Sequence, residues 1–283
     1  MIKRIIKLIG LLALIGFSFF YTDKVINVIK EEDEIMITLN NIQDNYFIEP
    51  QNASIVSNTI IPGINGQRIN IEASYKNMKT EGIFNQNLIE YEKIIPEKSI
   101  TNNKDKFIIK GNDQKQEISL IFILTNSKYL NKIESILNNK NIIANYFTDY
   151  DYLIENSTKI KEMNNKEIYS YGNNGDYTQD NLLFSNNLIN RISKNNAIYC
   201  LSSDMNKEIL NICSKNELYT IVPNIIGTKD NYSLIKNNIS NGSIILMNMT
   251  NDTAKELDTI IDYIKGKGYK IVGLSRLLSE EIR

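Results

Sequence analysis

The chain of 283 residues contains no histidine. Histidine is the one side chain whose ordinary pKa puts its charge change near neutrality, and it is the commonest metal ligand. Proton transfer or metal binding would therefore fall to carboxylates. Asp149 and Asp151 stand two apart, a spacing that suits an acid/base pair or a hard cation, although a solvated loop explains it as well. Asn173, Asn174, Gly175, Asp176 and Asp180 have a faint likeness to a calcium loop, but their spacing does not fit that pattern. Tyr150 and Tyr171 could stack on a sugar ring, although 16 tyrosines make such placements common by chance. Cys200 and Cys213 are read as two small buried hydrophobes, with a disulfide permitted if the chain is exported.

The elements that must position these residues become regular from Glu117 onward. Ile118 to Leu124 is a nearly continuous apolar run, as expected of a strand covered on both faces. Leu130, Ile133 and Leu137 then recur at helical spacing. Further strands are expected at 142–147, 167–171, 197–201, 218–222, 243–248 and 269–273. Helices are expected at 152–163, 182–192, 204–214 and 232–239, with a last one from Ser275. Thr253 and Glu256 read as a capping box for a helix with Leu257, Ile260, Ile261 and Ile264 on one face. Seven strands alternating with helices imply parallel pairing, closed as an irregular (β/α) barrel or open as a doubly wound sheet. Either form puts its chemistry at the strand C-termini. Asp149, Tyr171, Asn173, Asn224 and Asn248 fall at or just after such ends and form the candidate ligand pocket.

Upstream, residues 35–115 read as a small α+β unit. Ile35 to Leu39 suggests a strand, Ser74 to Thr80 a helix stopping near Gly82, and Phe107 to Ile109 a short strand. Residues 23–34 form a charged linker. Residues 1–22 carry Lys3, Arg4 and Lys7 ahead of the apolar run Leu8 to Tyr21, 14 residues or about 21 Å of helix. Bulky Phe17, Phe19, Phe20 and Tyr21 crowd the place of a small-residue cleavage site. The expectation is an uncleaved signal anchor, with the main domain outside a single-pass cell membrane; a cleaved signal would make the protein secreted. Charge is nearly balanced, 32 Lys+Arg against 33 Asp+Glu, so no electrostatic footprint for nucleic acid is present.

The block from Glu117 to Glu281 resembles the polysaccharide deacetylases of NodB-homology type, family-four carbohydrate esterases with a distorted (β/α) barrel. The resemblance is carried by Gly242 to Met247, by the run from Leu257 to Leu278, and by the strands at 118–124 and 142–147. It implies an irregular seven-stranded (β/α) barrel over residues 116–283. Those enzymes hold a divalent metal with an aspartate and two histidines, beside an aspartate base and a later histidine acid. The family's Thr-Phe-Asp-Asp-Gly falls on Ile121-Phe122-Ile123-Leu124-Thr125, and its paired histidines on Tyr171 and Gly175. Its arginine-proline motif falls on Cys200 to Asp204 and its last histidine on Asn248. No catalytic role carries over, and no metal or cofactor is implied. The expected function is a catalytically inactive deacetylase-like protein at the outer membrane face, binding cell-wall polysaccharide, peptidoglycan, or a membrane or wall protein. One alternative is a hydrolase with a rebuilt site using Asp149, Asp151 or Asp176; another is a structural part of an exported complex.

Overall fold

The computed structural model describes residues 14–18, 30–163, 165–193 and 196–282. The predicted anchor lies mostly outside the described residues, and no described helix is long and apolar enough to cross a membrane. The chain divides into two compact units, residues 1–50 with 65–94, and residues 51–64 with 95–283.

In the smaller unit the expected strand at 35–39 is a helix, Glu34–Ile42. Asp33 caps it by accepting the Ile35 N–H at 3.0 Å. Ile35, Met36 and Leu39 fall on one helical face and are buried, and that spacing outweighs the strand preference of the isoleucines. The helix Ile71–Glu81 stops at Gly82 in the left-handed conformation, as its sequence suggests. Strands Gly66–Ile69 and Tyr91–Ile94 pair antiparallel. Ile35, Leu39, Ile69, Met78 and Ile89 make the core.

The larger unit contains, in chain order, β1 (Ser54–Val56), β2 (Thr59–Ile61), β3 (Phe107–Ile108), β4 (Glu117–Leu124), α1 (Leu130–Asn139), β5 (Ala144–Thr148), α2 (Tyr150–Glu155), α3 (Ser157–Glu162) and β6 (Lys166–Ser170). There follow α4 (Gln179–Ile192), β7 (Tyr199–Leu201), α5 (Lys207–Lys215), β8 (Tyr219–Ile221), β9 (Ile225–Ile226), α6 (Asn231–Asn238), β10 (Ile244–Asn248), α7 (Asn251–Gly266), β11 (Lys270–Ile271) and α8 (Leu274–Leu278). Hydrogen bonds join the strands in two sheets, β9-β10-β4-β5-β6 with β11 against β4, and β1-β2-β3-β8-β7. All pairs but β1 with β2 are parallel. Residues 51–64 and 95–115, grouped by sequence with the small unit, lie with the larger one, because β2 and β3 extend the ladder of β8.

The period-two alternation of β4 serves two cores. Ile118, Leu120, Phe122 and Leu124 pack with α1 and α7 residues such as Ile133 and Leu257. Ile121 faces the other way, into a cluster with Phe147, Tyr169, Tyr199, Leu201, Ile221 and Leu246 from both sheets. Ile123 packs against that second cluster from its edge.

Three local expectations need correction. Helix α7 is capped by Thr250, which accepts the Thr253 N–H at 3.2 Å, while Glu256 accepts the Asn231 N–H instead. The helix expected at 152–163 is two, α2 and α3, separated at Asn156. Cys200 and Cys213 are joined in a disulfide: α5 packs on β7 and β8 and sets their Cα atoms 6.5 Å apart. Closing that loop restricts the unfolded chain by on the order of 3 kcal/mol.

Candidate functional site

Strand register fixes what stands at the C-terminal edge. Asn248 pairs with Ile123, Ile123 with Phe147, and Phe147 with Tyr169. The next row is Leu124, Thr148 and Ser170. By alternation Asn248 and Ile123 share the face of Ile121 and Leu246, while the fully buried Leu124 faces the helices. The Tyr171 N–H continues the ladder to the Thr148 carbonyl at 2.8 Å, and its ring packs on the inner cluster. The rim of the inner face thus carries Ile123, Asn248 and Tyr171 together.

The turn after β6 is shaped by two glycines. Gly172 has φ +66°, and a Cβ there would lie 2.4 Å from the Asp176 carbonyl oxygen. Gly175 has φ +92°, donates its N–H to the Tyr171 carbonyl at 3.1 Å, and leaves room for the phenol: a Cβ would stand 3.1 Å from the Tyr171 hydroxyl. Tyr171 therefore leans over the residue four positions on, where the resemblance puts a second histidine.

Asp149 holds this turn in place. Its side chain is buried; Oδ1 accepts the N–H groups of Asp151 at 3.1 Å and Tyr152 at 3.3 Å, capping α2. Oδ2 accepts the Asn174 N–H at 2.7 Å. Both oxygens are thereby engaged with backbone. Asp151 and Asp176 are exposed, and no group of three or more His, Cys, Asp or Glu among the described residues could hold a metal ion.

Of the five residues of the candidate pocket, three keep unengaged polar side chains: Tyr171 with its hydroxyl and Asn173 and Asn248 with their amides. Burial first, then the charges of Asp149 and Asp176, push the Tyr171 phenol up, so it remains a protonated donor near neutrality. Asn224 does not join them. Its Oδ1 accepts the Ile244 N–H at 2.7 Å and its Nδ2 donates to Ser243 Oγ at 3.3 Å, at the opposite end of β10 from Asn248.

Sequence reasoning missed Tyr177. Its buried hydroxyl donates to the Ser170 carbonyl and accepts the Leu201 N–H, both at 2.9 Å. One phenol thus ties β6 to β7, where no ladder runs. Burial pushes it far above the usual tyrosine value, so the bridge does not titrate in the physiological range. Nothing in its sequence context sets it apart from fifteen other tyrosines.

The residues present do not fit the divalent metal that the family-four esterases hold. Ile123 and Leu124 offer no donor, Gly175 has no side chain, and Asn248 and Tyr171 are neutral.

No protein-family model matches the chain. It is 25% identical over 282 residues to the uncharacterized protein YlxY of Bacillus subtilis strain 168, covering 90% of this chain and 86% of that one. Among solved structures it is similar to a family-four carbohydrate esterase pseudoenzyme from Bacillus anthracis, with TM-score 0.65 and 24% identity over 89% of this chain and 97% of that one. A mutant of that pseudoenzyme is described as having restored enzymatic activity. The chain is also similar to the Bc1960 peptidoglycan N-acetylglucosamine deacetylase, with TM-score 0.54 and 17% identity over 62% of this chain and 94% of that one. The chain thus has an α/β fold similar to that of the family-four carbohydrate esterases.

Proposed function

We propose that the protein binds cell-wall glycan at the strand C-termini without hydrolysing it. The observation that carries this reading is the rim itself. Where deacetylase chemistry would need a metal, a base and an acid, Ile123, Leu124, Gly175, Asn248 and Tyr171 stand. What the rim offers is one phenol and two amides beside an aliphatic floor, with the carboxylates of Asp149 and Asp176 near the phenol. The phenol and amides hydrogen-bond hydroxyl and acetamido substituents and make no demand for charge on the ligand. Kinship of fold with a peptidoglycan deacetylase supports a glycan as the ligand class. We read the two sheets as the arcs of one irregular barrel, closed at β6 and β7 by Tyr177. The N-terminal apolar run supports an anchor that displays the protein outside the cell membrane. The disulfide supports the same compartment, since such bonds persist where the environment is oxidising.

The test is binding of soluble peptidoglycan fragments to the wild type and to Tyr171→Phe and Asn248→Ala variants. Binding that weakens in both variants, with no acetate released by any of the three, supports the reading. Acetate release by wild type, with or without added zinc, would sink it.

A second reading, a part of an exported assembly, is favoured by apolar side chains exposed on the smaller unit. Phe47 is 50% exposed and Ile83 65%. Retrieval of the same membrane or wall protein by wild type, lost in Ile83→Asp with the rim intact, would shift the conclusion to it.

A further inference from the structure

We propose that Tyr150 and Phe184 form a second sugar subsite beside the rim, so that the ligand is an oligosaccharide chain and not a single sugar. The inference rests on the glycan reading above. Tyr150 opens α2 and Phe184 lies on α4; their rings meet edge to face with centroids 5.7 Å apart and planes at 64°. The pair is not core. Phe184 is 48% exposed, and Ile154, one helical turn after Tyr150, is 42% exposed. Two neighbouring helices therefore turn an apolar shelf outward, where a monomeric protein gains nothing by exposing it.

The shelf and the rim are joined by a single turn of backbone. The Tyr150 N–H donates to the Gly172 carbonyl at 2.7 Å, and Gly172 lies between Tyr171 and Asn173. Asp149, the residue before Tyr150, clamps the same turn through the Asn174 N–H. Tyr150 is thus fixed by backbone hydrogen bonds to the turn that carries Tyr171 and Asn173, and a chain longer than one sugar would extend from that turn toward Tyr150 and Phe184.

The chemistry selects the occupant. A pyranose ring has an apolar C–H face and polar edges, which suits an aromatic face ringed by hydrogen-bonding groups. Asp151 and Asp180 supply acceptors at the shelf edges, and both are exposed. Helix α2 carries no Lys or Arg, and the only one on α4 is Arg191 in its last turn. An anionic wall polymer would meet carboxylates here, so the shelf suits an uncharged chain such as a β-linked N-acetylglucosamine oligomer.

The experiment compares affinities for the N-acetylglucosamine dimer and hexamer by calorimetry on the full chain. In the wild type the hexamer binds more tightly. Phe184→Ala weakens the hexamer about 5-fold, the scale of one lost aromatic contact, and leaves the dimer unchanged. Phe184→Tyr keeps a ring and keeps the hexamer affinity. Tyr171→Phe weakens both ligands. If Phe184→Ala leaves the hexamer unchanged while the dimer still binds, the shelf is overturned and the rim reading stands. If neither ligand binds wild type, both fall together.

Discussion

Replacing Asp149 separates a carboxylate that holds structure from one that does chemistry. In Asp149→Ala the N–H groups of Asp151 and Tyr152 lose their cap, which costs about 1 kcal/mol in typical helices. The Asn174 N–H loses a charge-assisted bond of 2.7 Å in a partly buried place, worth about 1.5–3 kcal/mol. The sum is about 3 kcal/mol, which in a unit of this size lowers Tm by roughly 6–12 °C. Asp149→Asn keeps one oxygen for the cap and loses the clamp, so its cost is about half to two-thirds of that. Urea denaturation followed by circular dichroism measures both variants. Glycan binding should weaken only as far as the turn carrying Tyr171 and Asn173 loosens, and should be partly retained in Asp149→Asn. Stability within about 0.5 kcal/mol of wild type in Asp149→Ala, with binding or turnover abolished, would refute the structural role and revive a rebuilt acid/base site.

Gly175→Ala should cost about 1–3 kcal/mol, because φ +92° strains any Cβ and the Tyr171 hydroxyl lies 3.1 Å from it. In a Tyr171→Ala background the steric part disappears, so a double-mutant cycle should show coupling above about 0.5 kcal/mol, and strict additivity would contradict the interlock. Tyr177→Phe leaves the Leu201 N–H without its buried acceptor and should cost about 1–3 kcal/mol by thermal denaturation; a neutral result would remove the bridge between β6 and β7. Burial raises the Glu280 carboxyl above its ordinary 4.5 although it accepts the N–H groups of Gly63 and Ile100. Its protonated form is therefore favoured in the fold: the contribution is full below about pH 4.5 and is lost as pH rises through the raised value. The stability of wild type relative to Glu280→Gln should fall across that window, and a pH-independent difference would contradict it.

The seven main strands were legible because parallel strands buried on both faces read as unbroken apolar runs, Ile118 to Leu124 most clearly. The two-residue β3 is expected at 107–109, whereas β9 is not, since its pairing is set by a distant partner and not by local periodicity. The helix at Glu34–Ile42 hid behind isoleucines until Asp33 and the buried face of Leu39 are considered together. At the site, residue types told what the rim lacks, but not what each polar side chain holds. Asp149 and Asn224 looked alike at strand ends, yet both are engaged by backbone groups that only the fold brings near. The Cys200–Cys213 bond depended likewise on how α5 packs.

Binding without hydrolysis is tested by following the ligand itself. The protein, stripped of metal and then supplied with zinc, is incubated with the N-acetylglucosamine hexamer, and the bound oligomer is recovered and weighed by mass spectrometry. The hexamer should be retained by the wild type, lost in Tyr171→Phe with Asn248→Ala, and recovered with every acetyl group in place. Recovery of deacetylated hexamer in proportion to protein and zinc would contradict it.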